Sequence, residues 1–283
     1  MPDSHRLNYK YINAETRIPQ PVIRTDAEAP HRPSTWEPAL ASAAEAVKRI
    51  APNQLAIIAS GRMTNEELYM VRHLAAQIGT DMVDIVPRMG ESDGMLISAD
   101  RNPNTNGARL VLDIEPGSRL DAIREGVRSG SIKGILSLGE DLISPEAGFT
   151  AEDLDKLDYL FMTAHSANET ARHADLVLPG VTYAEKFGTM INVTGRIQRL
   201  NRAIQPIGYA RDDWQIFRDI TLLLGGNPAL KDFNSALDIL TAMSTEYGAL
   251  NGVSWGSIGD GGQPILETGV TIPVVEREKN QGR

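Results

Sequence analysis

The sequence predicts an α/β fold: a mostly parallel sheet with helices on both faces, plus a β-hairpin region and irregular termini. Two observations predict the sheet and its helices. Short apolar runs of strand length recur between residues 39 and 247, and longer stretches with helical spacing separate them. A third observation, apolar residues that alternate with polar ones on both sides of Gly195–Arg196, is typical of a hairpin.

Both ends of the chain lack these patterns. We therefore divide the sequence into an extended N-terminal arm or linker (1–38), an α/β domain (39–247) and an extended C-terminal tail (248–283). Six prolines in the arm prevent a long helix. Apolar side chains at 5–24 and 268–276 lie in non-helical stretches, so we expect them to form a partner-binding surface rather than core.

The first half of the domain alternates strands and helices in a regular order. Thr64 and Glu67 have the spacing of a capping box, and Gly79 is placed to end the same helix. The predicted elements are a helix over 39–50 with Ser34 as its N-cap, a strand over Leu55–Ala59, a helix over 64–78 and a strand over Met82–Val86.

The second half continues the alternation after a long polar connection over 87–108. The predicted elements are strands over Leu110–Leu112, Gly134–Gly139, Tyr159–Met162 and Leu176–Leu178, helices over Ser118–Arg128, Asp153–Leu157 and Asn168–His173, the hairpin, a helix capped by Asp212–Asp213, and a helix over Phe233–Tyr247.

Composition excludes several kinds of site and partner. The chain has no cysteine, so it cannot supply ligands to a cysteine-bound iron–sulfur cluster or zinc site. Its net charge of −9 argues against a nucleic-acid partner. No apolar run approaches the ~20 residues that a membrane helix needs. His165 and His173 match no recognised metal-ligand spacing, so we expect no metal site.

Polar residues follow two predicted strands at one edge of the sheet. Glu140 comes directly after the strand that ends at Gly139, and His165 follows the next strand. Ligands of doubly wound sheets bind beyond the carboxyl ends of strands, so a nucleotide would lie here. The connection over 87–108 is either a packing loop or, through Arg88, Glu91, Asp93 and Arg101, part of an old substrate and cofactor entrance.

Several motifs in register resemble one family. The order A-D-L-V-L-P, A-E-K-x-G-T and N-x-x-G-R-x-Q within 174–199 resembles the molybdopterin oxidoreductases of the dimethyl-sulfoxide-reductase superfamily. Four further stretches (6–13, 64–69, 100–105 and 137–141) resemble the large iron–sulfur subunit of bacterial NADH–quinone oxidoreductase, respiratory complex I. The resemblance spans roughly residues 6 to 225. It implies a Rossmann-like domain beside a bis-molybdopterin-guanine-dinucleotide cofactor.

The resemblance also implies a degraded cofactor edge. The loop of active relatives reads Gly-Glu-Asn-Pro, whereas here Asp141–Leu142 follow Gly139–Glu140, and an added carboxylate facing a phosphate would repel it. We therefore treat a set of six residues as a vestigial pterin-dinucleotide edge, with no catalytic residue and no cofactor in this chain: Gly139, Glu140, His165, Glu185, Asn192 and Arg196.

Two interpretations of the last three residues stay open. Glu185, Asn192 and Arg196 are either cofactor ligands, or Arg196 pairs with Glu185 while Asn192 satisfies loop backbone groups. We favour the second interpretation, because the rest of the cofactor site departs from that of active relatives.

The resemblance leaves three hypotheses on function. The favoured one is a structural domain of a respiratory NADH–quinone oxidoreductase subunit. We then expect it to contact peripheral-arm subunits, or the iron–sulfur domains that precede it in the family, as a fragment or split gene product. It would be cytoplasmic and peripheral to the inner or plasma membrane through the complex. The alternatives are a cofactor-binding fragment of an active molybdopterin-guanine-dinucleotide oxidoreductase, formate dehydrogenase-like, and a free-standing nucleotide-binding module.

Overall fold

A computed structural model describes residues 8–24, 29–94 and 97–270. Within these ranges the main sheet has seven strands, in the order β2-β1-β7-β6-β5-β3-β4. These are β1 (Val22–Ile23), β2 (Arg32–Pro33), β3 (Leu55–Ala59), β4 (Val83–Ile85), β5 (Gly134–Leu138), β6 (Tyr159–Ala164) and β7 (Leu176–Pro179).

The five strands from β3 to β7 are parallel, which confirms the predicted mostly parallel sheet. The chain first adds β4 on one side of β3 and then returns to place β5 on the other side. Strand order therefore reverses between β3 and β5, and this is the switch point where doubly wound sheets bind ligands.

Helices cover both faces, as predicted. On one face, Ile57, Leu136 and Phe161 pack with the helices that carry Leu74 and Phe217. On the other face, Ile58 packs in a second cluster with the helices that carry Ile123 and Leu154. The helices are α1 (Trp36–Arg49), α2 (Asn65–Ile78), α3 (Thr105–Leu112), α4 (Leu120–Ser129), α5 (Ala151–Leu154), α6 (Glu169–His173), α7 (Asp213–Leu223), α8 (Ala236–Glu246) and α9 (Trp255–Ile258).

The predicted helix boundaries of α2 are confirmed in detail. The Thr64 side chain accepts from the Glu67 amide at 3.2 Å, and the Glu67 carboxylate accepts from the Thr64 amide at 2.8 Å. Gly79 adopts φ +80°, the left-handed conformation that ends a helix at low cost. Ser34, by contrast, is not the cap of α1, since Thr35 occupies that position without a side-chain capping bond.

The prediction of a strand over Leu110–Leu112 is wrong, because these residues end α3. A three-residue apolar run cannot distinguish a strand from one face of a helix. The buried residues Ala108 and Val111 lie three positions apart, so they share the helix face that packs into the core.

The predicted hairpin is confirmed and carries a third strand. β8 (Gly188–Ile191) and β9 (Arg196–Leu200) pair antiparallel, and β10 (Gln263–Pro264) adds to β9 from the C-terminal region. The prediction of an extended tail is therefore wrong for residues 248–264, which include α9 and β10 and bury Val253 and Ile258. Residues 271–276 of the expected partner surface lie outside the described residues.

The expectation that residues 5–24 form exposed partner surface is wrong for the described part, 8–24. Ile12 and Ile18 are buried, and β1 pairs antiparallel with β7 so that Val22 lies opposite Val177. The segment is tied to the sheet edge by backbone hydrogen bonds, which a sequence rich in proline does not reveal. Over the described ranges, no helix is long and apolar enough to cross a membrane.

Candidate functional site

A cleft of about 410 Å³ opens at the carboxyl ends of β3, β5, β6 and β7, at the switch point of the sheet. One side of it is apolar, and polar or charged groups line its floor and mouth. Its lining includes Tyr11, Arg62, Gly139, Thr163, His165, Gly180, Tyr183, Lys186 and Asp213.

Two glycines keep the strand ends open. Gly139 follows β5 at φ +74°, and its amide donates to the Thr163 carbonyl at 3.0 Å. Gly180 follows β7, and its amide donates to the Ala164 carbonyl at 3.1 Å. A Cβ at Gly180 would lie 2.8 Å from the Asp213 carboxylate, so a larger residue there would displace that side chain.

The floor of the cleft holds a buried ion-pair cluster. The Lys186 ammonium lies 2.7 Å from the Glu67 carboxylate and 3.5 Å from the Asp213 carboxylate. Burial opposes the charge on Lys186, but the two carboxylates raise its pKa, so this lysine is protonated at neutral pH. Lys186 and Asp213 both line the cleft, whereas Glu67 belongs to the capping box behind them.

Beside this cluster lies a second buried carboxyl group. Glu66 is fully buried and accepts hydrogen bonds from the Thr189 amide and hydroxyl, both at 2.8 Å. Burial raises the pKa of Glu66 to about 7. The two hydrogen bonds from Thr189 lower this pKa, but only in part. Glu66 therefore takes up a proton in the physiological range, without lining the cleft.

The Thr163 hydroxyl, which lines the cleft, is buried and has no hydrogen-bond partner among the described residues. An unpaired buried hydroxyl costs about 1–3 kcal/mol, so native proteins pair most such groups. Thr163 is a lining residue of the cleft, so its unpaired hydroxyl lies beside the space that a ligand would occupy.

The cleft lining also includes the guanidinium of Arg62 and the rings of Tyr11, His165 and Tyr183. Arg62 is exposed there and makes no ion pair among the residues that the structure describes. Burial, with Arg17 and Lys186 nearby, lowers the pKa of His165 to about 4, so its imidazole is neutral at pH 7. Its Nδ1 lies 2.8 Å from the Ser166 hydroxyl, which leaves Nε2 for a ligand.

The six predicted site residues divide into two groups. Gly139 and His165 line the cleft. Glu140 does not: it is buried beside the strand end, where Arg88 binds it through both oxygens at 3.0 and 2.5 Å. Asp141 accepts from the Thr170 hydroxyl at 2.6 Å and is absent from the cleft lining, so its carboxylate does not face the cleft directly.

Glu185, Asn192 and Arg196 lie outside the cleft lining. The predicted Arg196–Glu185 ion pair is wrong, because Glu185 pairs with Arg17 and Arg196 donates instead to the Gly262 carbonyl at 2.6 Å. Arg196 is nearer to Glu185 in the sequence, but the fold places Arg17, 168 positions away, against Glu185.

The predicted structural role of Asn192 is confirmed. Its side-chain oxygen accepts from the amides of Thr194 and Arg196, each at 3.0 Å, and so holds the turn of the hairpin. In the described part of the connection over 87–108, Arg101 donates to the Glu91 carbonyl at 2.6 Å. Arg88 reaches the sheet edge, where it pairs with Glu140.

Sequence reasoning did not name several residues of the cleft lining as site residues. Arg62 follows β3 within three positions, and the rule that named Glu140 and His165 would have found it. Tyr11 and Lys186 lie in stretches that carry the family resemblance, but, as with Thr163 and Asp213, only the fold shows that they line one cleft. Within the described ranges, no three histidine, aspartate or glutamate side chains group as a metal site requires.

Comparisons with known proteins point to one family. Residues 101–221 match the family described as Molybdopterin oxidoreductase. The chain is 32% identical over 144 residues to a Staphylococcus haemolyticus protein named "Putative formate dehydrogenase", and 33% identical over 136 residues to the NADPH-Fe(3+) oxidoreductase subunit alpha of Geobacter sulfurreducens. These matches span 50% and 47% of this chain, but only 15% and 16% of the two relatives.

A solved structure shares the fold. Acetylene hydratase from Pelobacter acetylenicus superposes with a TM-score of 0.57 over 87% of this chain and 66% of that one, at 9% sequence identity. At this identity the likeness shows the α/β fold alone.

Proposed function

We propose, from the premise that residues 101–221 form a molybdopterin oxidoreductase family domain, that this chain holds the guanine dinucleotide end of a molybdopterin cofactor in a formate dehydrogenase-like oxidoreductase. The relatives whose names describe redox enzymes support this proposal over a purely structural role. The observation that carries it is the unpaired, buried Thr163 hydroxyl in a cleft at the switch point.

The residues present fit a nucleotide. Asp213 is a carboxylate of the floor, and a carboxylate can accept from the two N–H groups on the edge of guanine. Thr163 supplies a hydroxyl that lacks a partner among the described residues. Arg62 at the mouth supplies a cation for phosphate oxygens.

The chemistry divides between the cofactor and the chain. When bound, molybdopterin guanine dinucleotide supplies the metal centre at which electrons are exchanged. The residues of this chain bind and orient its nucleotide. Lys186 stays paired with Glu67, and this pair largely neutralises the charge of the lysine. Lys186 also lies 3.5 Å from Asp213 and so holds that carboxylate in place.

A pterin and nucleotide analysis tests the proposal. The chain is expressed in a host that makes molybdopterin guanine dinucleotide, purified, and assayed for molybdenum, for the fluorescence of oxidised pterin and for GMP released by acid hydrolysis. We expect pterin and GMP in equal amounts, both reduced in Asp213→Ala and unchanged in Glu45→Ala, an exposed position on α1. Wild-type protein free of pterin and GMP contradicts the proposal.

A second candidate function is the structural domain of a complex I large subunit, to which the sequence motifs are similar. The observation that favours it is that Glu140 and Glu185 are satisfied inside the chain, by Arg88 and Arg17, and lie away from the cleft. Under this candidate the chain contacts peripheral-arm subunits on the cytoplasmic side of the membrane. Pterin-free protein that also fails to bind GDP would favour it.

A further inference from the structure

The N-terminal segment closes one side of the cleft. Residues Asn8–Asn13 form a 3₁₀ helix, and Tyr11 on this helix lines the cleft. The chain then runs antiparallel to the loop after β6, where the Ile18 amide donates to the His165 carbonyl at 3.1 Å and the Ala167 amide donates to the Thr16 carbonyl at 2.8 Å. The segment is therefore part of the site in the folded protein.

Arg17 connects this segment to the loop after β6 and to the loop after β7. Its Nη2 donates to both Glu185 oxygens, at 2.9 and 2.7 Å, and its Nε donates to the His165 carbonyl at 3.0 Å. Its Nη1 donates to the Ile12 carbonyl, within the turn that carries Tyr11. One buried guanidinium thus joins the 3₁₀ helix, the loop after β6 and the loop after β7.

Glu185 extends the connection to Thr182 and Ile207. It accepts from the Thr182 amide at 2.8 Å, beside Tyr183, and from the Ile207 amide at 3.1 Å. Burial opposes its charge, but the bonds from Thr182 and Arg17 lower the pKa of Glu185, so the pair with Arg17 is ionised at neutral pH.

The result is an uncharged aromatic wall. The ring centroid of Tyr11 lies 5.3 Å from that of His165, at 34° between the ring planes, and 6.3 Å from that of Tyr183. Burial raises the pKa of Tyr11, and His165 is neutral, so neither ring carries charge at pH 7. Such a surface packs on the face of a nucleoside, and Arg62 beside it is left for phosphate.

We propose that Tyr11 contacts the bound guanosine diphosphate moiety through its ring and that Arg17 is the positioning residue that places it there. This inference rests on the proposed function and adds to it that residues preceding the α/β domain complete the nucleotide site. A ligand then binds only with the N-terminal segment docked.

Titration of the purified full chain with GDP, followed by calorimetry, tests the role of Tyr11. We expect Tyr11→Ala to raise the Kd about tenfold, the loss typical of one stacking contact, and Tyr11→Phe to stay within about twofold of wild type. Tyr9→Ala is the matched control, because Tyr9 lies on the same 3₁₀ helix and is exposed.

The outcomes separate this inference from the proposed function. Wild-type protein that does not bind GDP overturns both. Wild-type protein that binds GDP while Tyr11→Ala binds as tightly, or while Tyr11→Phe is as weak as Tyr11→Ala, overturns only the inference.

A double-mutant cycle tests the role of Arg17. If Arg17 acts by placing Tyr11, Arg17→Met weakens GDP binding, and adding Tyr11→Ala to it causes little further loss. Fully additive losses would contradict the positioning role. If Arg17→Met does not fold, the Tyr11 variants alone test whether Tyr11 contacts GDP.

Discussion

Replacing Arg17 by methionine should destabilise the protein, because it removes one partner of a buried ion pair. Both side chains of the Arg17–Glu185 pair are 1% exposed, so no water replaces the guanidinium when it is removed. Removing one partner of a buried pair typically costs about 3–5 kcal/mol. Glu185 keeps its donors at Thr182 and Ile207, so we expect the lower end of that range, about 3 kcal/mol.

Urea unfolding followed by the fluorescence of the three tryptophans measures this loss. Arg196→Met is the matched control, because that arginine donates only to the carbonyls of Gly261 and Gly262 among the described residues, at the rim of the hairpin. We expect it to cost about 1 kcal/mol or less. A cost under about 1 kcal/mol for Arg17→Met, or equal costs for the two variants, would refute the assignment of Arg17 to a buried, stabilising pair.

Three further outcomes follow from buried polar groups. The folded pKa of Glu66 lies above its unfolded value, so its contribution to stability is complete below about pH 4.5 and is lost as the pH rises to about 7. The stability of wild type relative to Glu66→Gln, from urea melts between pH 5 and 8, should therefore fall by up to about 3 kcal/mol, and a constant difference would contradict this. Thr64→Ala removes the cap of α2 and should cost about 1 kcal/mol in the same melts, whereas an unchanged midpoint would mean that the Thr64–Glu67 box adds nothing. Thr163→Val should leave the ligand-free protein equally or more stable while weakening GDP binding, and the opposite pattern would show that the hydroxyl has a structural partner.

Sequence patterns were sufficient for the five parallel strands, because each is a mostly apolar run with a turn signal after it, but not for β1 and β2 at the sheet edge. Leu55–Ala59 is predicted and observed with the same bounds, since Ser60–Gly61 stop the run. The cap of α2 follows from local chemistry, because Thr64 and Glu67 lie three positions apart. The prediction of a strand at Leu110–Leu112 was wrong, because the apolar run is too short to show a period.

The cleft was harder to predict, because its contacts join positions distant in the sequence. The rule that ligands lie beyond strand ends found Gly139 and His165, but it could not show that Glu140 turns away to Arg88. Nor could it pair Glu185 with Arg17 across 168 positions, since proximity in sequence favoured Arg196. Asp213 was assigned to a helix start, and only the fold places it beside Gly180 in the cleft.

The central claim is that the cleft at the switch point binds a guanine nucleotide. Amide chemical shifts of the ¹⁵N-labelled chain, titrated with GDP and separately with ADP, test it most directly. We expect saturable shifts at Gly139 and Gly180 with GDP and much smaller ones with ADP, since the Asp213 carboxylate matches the N–H edge of guanine. Titrations that leave both glycines unmoved, or that give equal shifts for the two nucleotides, would contradict it.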